Sequence, residues 1–85
     1  MNKQEFKKIK KEVQSLLDDF GFVDPDIEIS QLKAIFDIDN ADINITGLLS
    51  GFKTYEIHYK DYIVEIRVEN YEFKIYDIKD YEDMI

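Results

Sequence analysis

The start of the chain follows the repeat of an amphipathic helix. Apolar side chains recur at spacings of three and four over residues 3–20, which places them on one side of a helix. Asn2 followed by Glu5 is typical of a capped helix start, and Gly21 suits a left-handed cap at the other end. The sequence therefore predicts a helix that packs on another element. Its apolar positions are Phe6, Ile9, Val13, Leu16, Leu17 and Phe20.

Residues 25–38 fit two different elements. Asp24 before Pro25 is typical of a helix start, and apolar side chains would then share one side of a short helix. The alternative is a strand, because apolar residues in the same stretch also alternate with polar ones. We expect the short helix, with Ile29, Leu32 and Phe36 on its apolar side.

The last third of the chain alternates between apolar and polar positions, which is the repeat of β-strands. A two-residue turn at Lys60-Asp61 would join the first two of these strands. A short strand over residues 43–47 precedes them. The predicted pairs across the first turn are Tyr59 with Tyr62 and Ile57 with Val64.

The second hairpin is predicted to turn at Glu69-Asn70. This turn would fill one side of the sheet with apolar pairs and match opposite charges on the other side, which supports the register independently. The predicted pairs are Ile66 with Phe73, Val64 with Ile75, Glu65 with Lys74 and Arg67 with Glu72. Together these elements predict a single α+β domain over residues 1–85. In it the N-terminal helix and a second short helix pack on a three- to four-stranded antiparallel sheet with a C-terminal meander.

Composition limits the possible locations and covalent constraints. The 85 residues suffice for one domain, and 45% of them are hydrophobic, which supplies a core despite a net charge of −8. There is no cysteine for a disulfide or a thiolate metal site. No apolar segment reaches the roughly 18 residues that span a bilayer. We therefore expect a cytoplasmic protein with no membrane partner.

Catalytic and metal sites have few candidate residues. His58 is the only histidine, so zinc sites and catalytic triads would lack their other members. Asp37, Asp39 and Asp42 could offer oxygen ligands to calcium, but a calcium loop needs a glycine at the position of Asp42 and a glutamate at that of Leu48. We therefore expect no enzymatic activity, no metal and no cofactor.

Acidic residues gather in the middle of the chain and near its C-terminal end, where tyrosines lie among them. The strong negative charge disfavours direct binding to nucleic acid. We interpret the acids, with Tyr76, Tyr81 and Phe52, as a surface for the basic groove of a protein that ordinarily holds DNA or RNA. A surface that only keeps the protein soluble is the alternative. The candidate partner-binding residues are Asp37, Asp39, Asp42, Tyr76, Asp77, Asp80, Tyr81, Glu82 and Asp83.

The chain is rich in Ile, Lys, Asp and Tyr and has only two Ala and one Arg, as AT-rich coding DNA produces. In size, acidity, composition and absence of cysteine, it resembles small inhibitors encoded by phages of low-GC bacteria, including anti-CRISPR proteins and other nucleic-acid mimics. The resemblance extends over the whole chain and involves no motif. It implies an inhibitor that acts in the host cytoplasm and occupies the nucleic-acid site of a CRISPR nuclease. Immunity proteins, antitoxins and small assembly subunits share this profile.

Overall fold

The computed structural model describes residues 2–49 and 52–81. Two α-helices and a short 3-10 turn (Asn40–Asp42) precede four strands that pair antiparallel, each with the next along the chain. The fold is α+β, with an N-terminal helix packed on an antiparallel meander, as predicted. Its elements are α1 (Lys3–Asp18), α2 (Glu28–Phe36), β1 (Ile43–Leu49), β2 (Phe52–Tyr59), β3 (Tyr62–Glu69) and β4 (Glu72–Asp80).

Helix α1 begins where the sequence predicts and ends two residues earlier. At its start, Oδ1 of Asn2 accepts a hydrogen bond from the amide of Glu5 at 2.8 Å, which satisfies one of the free donors of the first turn. The helix ends at Asp18, and Gly21 then adopts a φ of +66°. The amide of Gly21 donates to the carbonyl of Leu17, so the predicted left-handed cap is present.

The apolar side of α1 packs as predicted except beyond its C-terminal end. Phe20 follows the last helical residue and is 45% exposed. The buried positions of α1 are Ile9, Val13 and Leu17, with Phe6 and Leu16 partly buried beside them. No helix within the described ranges is long and apolar enough to cross a bilayer.

Residues 25–38 form a helix rather than a strand, but it begins later than the Asp24-Pro25 signal indicates. A turn comes first, in which the amide of Ile27 donates to the carbonyl of Asp24 at 3.1 Å. The side chain of Asp24 accepts from the amide of Asp26, a local bond that competes with a helical first turn. Helix α2 therefore starts at Glu28. It packs on the core through Ile29, Leu32, Ile35 and Phe36.

The hairpin between β2 and β3 has the predicted turn at Lys60-Asp61. Its predicted pairs, Tyr59 with Tyr62 and Ile57 with Val64, are confirmed. The side chains of Lys60 and Tyr59 both donate to Oε1 of Glu12 in α1. The bond from Lys60, and then that from Tyr59, hold the pKa of the Glu12 carboxyl below its usual value. These two hydrogen bonds hold α1 against the hairpin of β2 and β3.

The predicted register of the hairpin between β3 and β4 is wrong. Its turn is Asn70-Tyr71, and both residues have a positive φ, at 51° and 63°, as a type I′ turn requires. Glu69 therefore pairs with Glu72. The shift is two residues long, so the same sides of β3 and of the start of β4 still face the core. The observed pairs Val68–Phe73, Arg67–Lys74 and Ile66–Ile75 replace Ile66–Phe73, Val64–Ile75, Glu65–Lys74 and Arg67–Glu72.

A bulge in β4 changes which of its residues face the core. Tyr76 is an extra residue, because Ile75 and Asp77 pair with successive residues of β3. The alternation along β4 therefore skips one position, and Ile78 enters the core with 3% of its surface exposed. An unbroken alternation would place Ile78 on the opposite side, so the sequence pattern misses it.

Both helices pack on one side of the sheet, the inner face, through one hydrophobic core. The opposite side is the outer face. Because side chains alternate along each strand, the buried apolar positions identify the inner face in β2, β3 and β4. The buried inner-face residues are Tyr55, Ile57, Val64, Ile66, Phe73 and Ile78.

A buried carboxylate connects α2 to β2. Glu28 is 5% exposed, and its Oε1 accepts hydrogen bonds from Nζ of Lys53 and from the hydroxyl of Tyr55, each at 2.5 Å. A buried charge is tolerated when it is paired and hydrogen-bonded, and these two donors provide both. Burial, and then the hydrogen bond and charge of Glu28, raise the pKa of Tyr55.

We expect this domain to lose stability at alkaline pH through Tyr55. Its folded-state pKa lies above the ordinary value of 10.0. Its contribution is therefore complete below that pH and is lost as the pH rises toward the folded-state pKa. Urea unfolding between about pH 8 and 11 should show a smaller decline for Tyr55→Phe, which has no hydroxyl to ionise. An equal decline in both proteins would assign the loss to Tyr59 and Tyr62, whose pKa values are also raised.

Candidate functional site

The outer face of the sheet collects charged and polar side chains from three strands. It includes four of the predicted binding residues: Tyr76 and Asp77 within β4, and Asp42 and Tyr81 around His58. The outer-face residues of β2, β3 and β4 are Thr54, Glu56, His58, Ile63, Glu65, Arg67, Glu69, Glu72, Lys74, Tyr76, Asp77 and Lys79.

Three carboxylates lie side by side across this face. Glu56 of β2 pairs directly with Glu65 of β3, and Glu65 pairs with Asp77 of β4. Neighbouring strands are about 4.8 Å apart, so the backbones of the three residues in this carboxylate row are about 5 Å apart. Asn44 of β1 extends the row, and its Nδ2 donates to Oε1 of Glu56 at 3.3 Å. Like charges directly opposite each other destabilise a sheet, so the pairing within this row is itself unfavourable for the fold.

Cations border the carboxylate row along the strands. Nζ of Lys79 lies 3.9 Å from Oδ2 of Asp77 on one side, and Arg67 pairs with Lys74 on the other. The guanidinium carbon of Arg67 lies 3.5 Å from the ring centroid of Tyr76. This cation–π contact orients a ring that is 59% exposed. Tyr76 is therefore an exposed aromatic with a fixed orientation beside the row.

Tyr81 is a second exposed aromatic, and it stacks on His58, the outer-face residue that follows Glu56 along β2. The ring of Tyr81 is 4.2 Å from that of His58, and the two planes differ by 6°. Nδ1 of His58 is 3.5 Å from Oδ1 of Asp42, so the imidazole is held between a carboxylate and a phenol ring. His58 thus lies on the polar side of its strand, as predicted, and orients Tyr81.

The other predicted residues lie elsewhere. Asp37 ends α2 in a left-handed backbone conformation, with a φ of 54°. Oδ1 of Asp39 accepts from the amide of Ala41 at 2.9 Å and caps the 3-10 turn. Asp80 pairs with Tyr62 and shares its inner-face side of the sheet. Outside the described residues lie Glu82, Asp83 and the side chain of Phe52.

Two members of the carboxylate row, Glu56 and Glu65, are missing from the predicted binding residues. The sequence contains a signal for both, because the correctly predicted register of β2 and β3 sets these two acids opposite each other. The third member, Asp77, cannot be aligned with them from the sequence pattern. Its position depends on the left-handed turn between β3 and β4 and on the bulge in β4.

Comparisons with protein-family models, curated protein sequences and solved structures found no match to this chain. Within the described parts of the chain, no three His, Asp or Glu side chains are grouped so that they could hold a metal ion. An open cavity of about 480 Å³ lies between α1 and β4, and another of about 320 Å³ adjoins Glu28. The outer face, with its aligned carboxylates and oriented tyrosines, is the candidate functional site.

Proposed function

We propose that this protein is a non-enzymatic inhibitor that binds a basic protein through its outer face and competes there with nucleic acid. The carboxylate row is the observation that carries the proposal. Regularly spaced negative charges are complementary to a groove lined by Lys and Arg, which otherwise neutralises phosphates. Tyr76 and Tyr81 supply aromatic anchors beside the row, and exposed tyrosines of this kind contribute strongly to protein interfaces.

The partner is a nucleic-acid enzyme, such as a CRISPR nuclease. An enzyme of that class holds its guide and target in a positively charged channel and recognises their backbones. The small size of the chain, its net charge of −8 and its compositional resemblance to phage-encoded inhibitors support this narrower identification. The bacterial cytoplasm is where such a partner is found.

Capture of the partner followed by competition tests the proposal. The tagged protein is used to purify bound proteins from lysates of low-GC bacteria, and mass spectrometry identifies them. Nucleic acid added to the purified complex should displace the inhibitor, and affinity should fall as salt rises from about 50 to 500 mM, where screening lengths shrink to a few Å. A complex whose affinity does not change with salt and that nucleic acid does not displace would refute mimicry. A toxin as partner would instead identify an immunity protein or antitoxin.

Glu65→Gln is expected to stabilise the domain while it weakens partner binding. The substitution keeps the size of the side chain and removes the like charge between Glu56 and Asp77. The free energy of unfolding should therefore rise by about 0.2–1 kcal/mol. The same change removes the central charge of the row, and we expect affinity to fall about tenfold. Urea denaturation and titration calorimetry measure the two effects.

Asp37→Asn is the matched control for this variant. It removes the same charge at a site away from the outer face, and asparagine suits the left-handed backbone at residue 37. Affinity should stay within about twofold of the original value. Equal losses in both variants would assign binding to net charge alone. Unchanged affinity for Glu65→Gln would exclude the carboxylate row from the interface.

A further inference from the structure

Strand β4 lies at an edge of the sheet, where among the described strands it pairs only with β3. The free side of an edge strand presents backbone N–H and C=O groups that another strand can bind. β4 is nine residues long, which exceeds the usual length of about 5–6. Charged outer-face residues on an edge strand disfavour pairing with most other strands, and they favour pairing with a strand that places opposite charges across from them.

The charges of β4 match those of a second β4 that runs in the opposite direction. Glu72 near one end corresponds to Lys79 near the other, and Lys74 corresponds to Asp77. The apolar residues Phe73 and Ile78 correspond in the same way. We propose that the protein forms a homodimer in which the β4 strands of two copies pair antiparallel around a two-fold axis and make one continuous sheet.

The bulge at Tyr76 brings the charged pairs and the pair of Phe73 with Ile78 onto matching faces of the sheet, and the exception is the centre of the strand, where Ile75 lies opposite the bulged Tyr76 of the second copy. Residues directly opposite each other in antiparallel strands point to the same side. Because β4 skips Tyr76 in its alternation, Glu72 and Lys79 both lie on the outer face, while Phe73 and Ile78 are both buried on the inner face. Without the bulge, the two residues of each of these pairs would point to opposite sides of the sheet.

Other registers of the two strands are unfavourable. A slide of two residues in one direction brings Glu72 opposite Asp77 of the second copy. The opposite slide brings Lys74 opposite Lys79 of the second copy. A slide of one residue sets outer-face against inner-face positions. Charge and face together therefore select one register.

Helix α1 follows the same two-fold symmetry. It runs antiparallel to β4, because the amide of Val23 just beyond α1 donates to the carbonyl of Tyr71 just before β4, at 2.8 Å. The start of α1 lies near the end of β4. Tyr62 pairs with Asp80 of β4, and burial and then the charge of Glu5 in the first turn of α1 raise the pKa of Tyr62. The two α1 helices of a dimer are thus antiparallel, with the basic half of one toward the acidic end of the other. The charges concerned are Lys3, Lys7, Lys8, Lys10 and Lys11 in the first half and Asp18 and Asp19 at the end.

Analytical ultracentrifugation of the full chain at low salt, over a series of protein concentrations, tests the dimer without any partner. The result is therefore independent of the proposed inhibition. The original protein should dimerise, and Lys74→Asp or Asp77→Lys alone should weaken the dimer about tenfold or more, because each sets like charges opposite each other. The double variant Lys74→Asp/Asp77→Lys restores opposite charges and should return the dissociation constant to within about threefold.

A second charge exchange avoids Asp77, whose Oδ1 also accepts from the amide of Ile78 at 2.8 Å. Glu72→Lys and Lys79→Glu should each weaken the dimer, and their combination should restore it. Asp26→Lys reverses an exposed acid in the turn before α2 and should leave the dimer unchanged. Circular dichroism establishes that each variant is folded. A monomer at every concentration, single reversals without effect, or a failure of both double variants to restore dimerisation would overturn the proposal.

Discussion

Ile66→Ala is expected to lower the free energy of unfolding by about 2–5 kcal/mol, whereas Ile63→Ala on the same strand should lower it by less than about 1 kcal/mol. Ile66 lies on the inner face and is 0% exposed, so its truncation leaves a cavity beneath the helices. Ile63 lies on the outer face and is only partly buried. Both variants remove the same atoms from the same strand, so their difference measures burial rather than strand propensity.

Urea denaturation followed by circular dichroism measures both losses. Ile66→Val removes a single methylene from the same position and should cost about 0.5–1.5 kcal/mol, which gives the series a graded step. A larger loss for Ile63→Ala than for Ile66→Ala would mean that the two faces of β3 are inverted, and equal losses would contradict the burial difference between them.

Glu28→Ala is expected to destabilise the domain by about 2–3 kcal/mol. Most of this cost comes from Tyr55, which is 1% exposed and would keep a buried hydroxyl without its acceptor. The ion pair with Lys53 contributes less, because the lysine side chain is 46% exposed and its ammonium can return to water.

A double-mutant cycle separates these contributions. Glu28→Ala, Tyr55→Phe and the double variant should give a coupling energy of about 1–2 kcal/mol between the two side chains. Glu28→Gln keeps an acceptor for the hydroxyl and should cost less than Glu28→Ala. A coupling energy near zero would show that the hydroxyl of Tyr55 gains another partner when the carboxylate is removed.

Elements with a strong local signal could be predicted from the sequence. The repeat of α1, its cap at Asn2 and the turn at Lys60-Asp61 depend on neighbouring residues and are confirmed. The inner face follows from the alternation of apolar residues in β2 and β3, which packing on one side of a sheet requires.

The β3–β4 hairpin could not be predicted in this way because contacts distant in sequence hold its turn. Tyr71 adopts a left-handed conformation that is unfavourable for a bulky residue. Its carbonyl accepts from the amide of Val23 at 2.8 Å, and its ring stacks on that of Phe22 at 5.4 Å. The expectation that opposite charges pair across strands pointed to the wrong turn, since Arg67 and Lys74 are in fact directly opposite.

The candidate site was accessible from the sequence in its composition and in the pairing of Glu56 with Glu65, which the predicted register of β2 and β3 contains. An excess of acids with nearby tyrosines indicates a charged surface, and it identifies Tyr76 and Asp77 as members. The alignment of Asp77 with Glu65 and Glu56 is a property of register, which changes with every residue added to a turn or a bulge.

Contacts within the sheet and contacts between α1 and the sheet close chain loops of very different length. Every strand pairs with its neighbour along the chain, and the two turns of the meander contain two residues each, so the loops that close within it are short. The bonds from Tyr59 and Lys60 to Glu12 span 47 and 48 positions instead. Because the entropy lost on closure grows with loop length, the attachment of α1 to the sheet carries a larger closure cost than the formation of either hairpin.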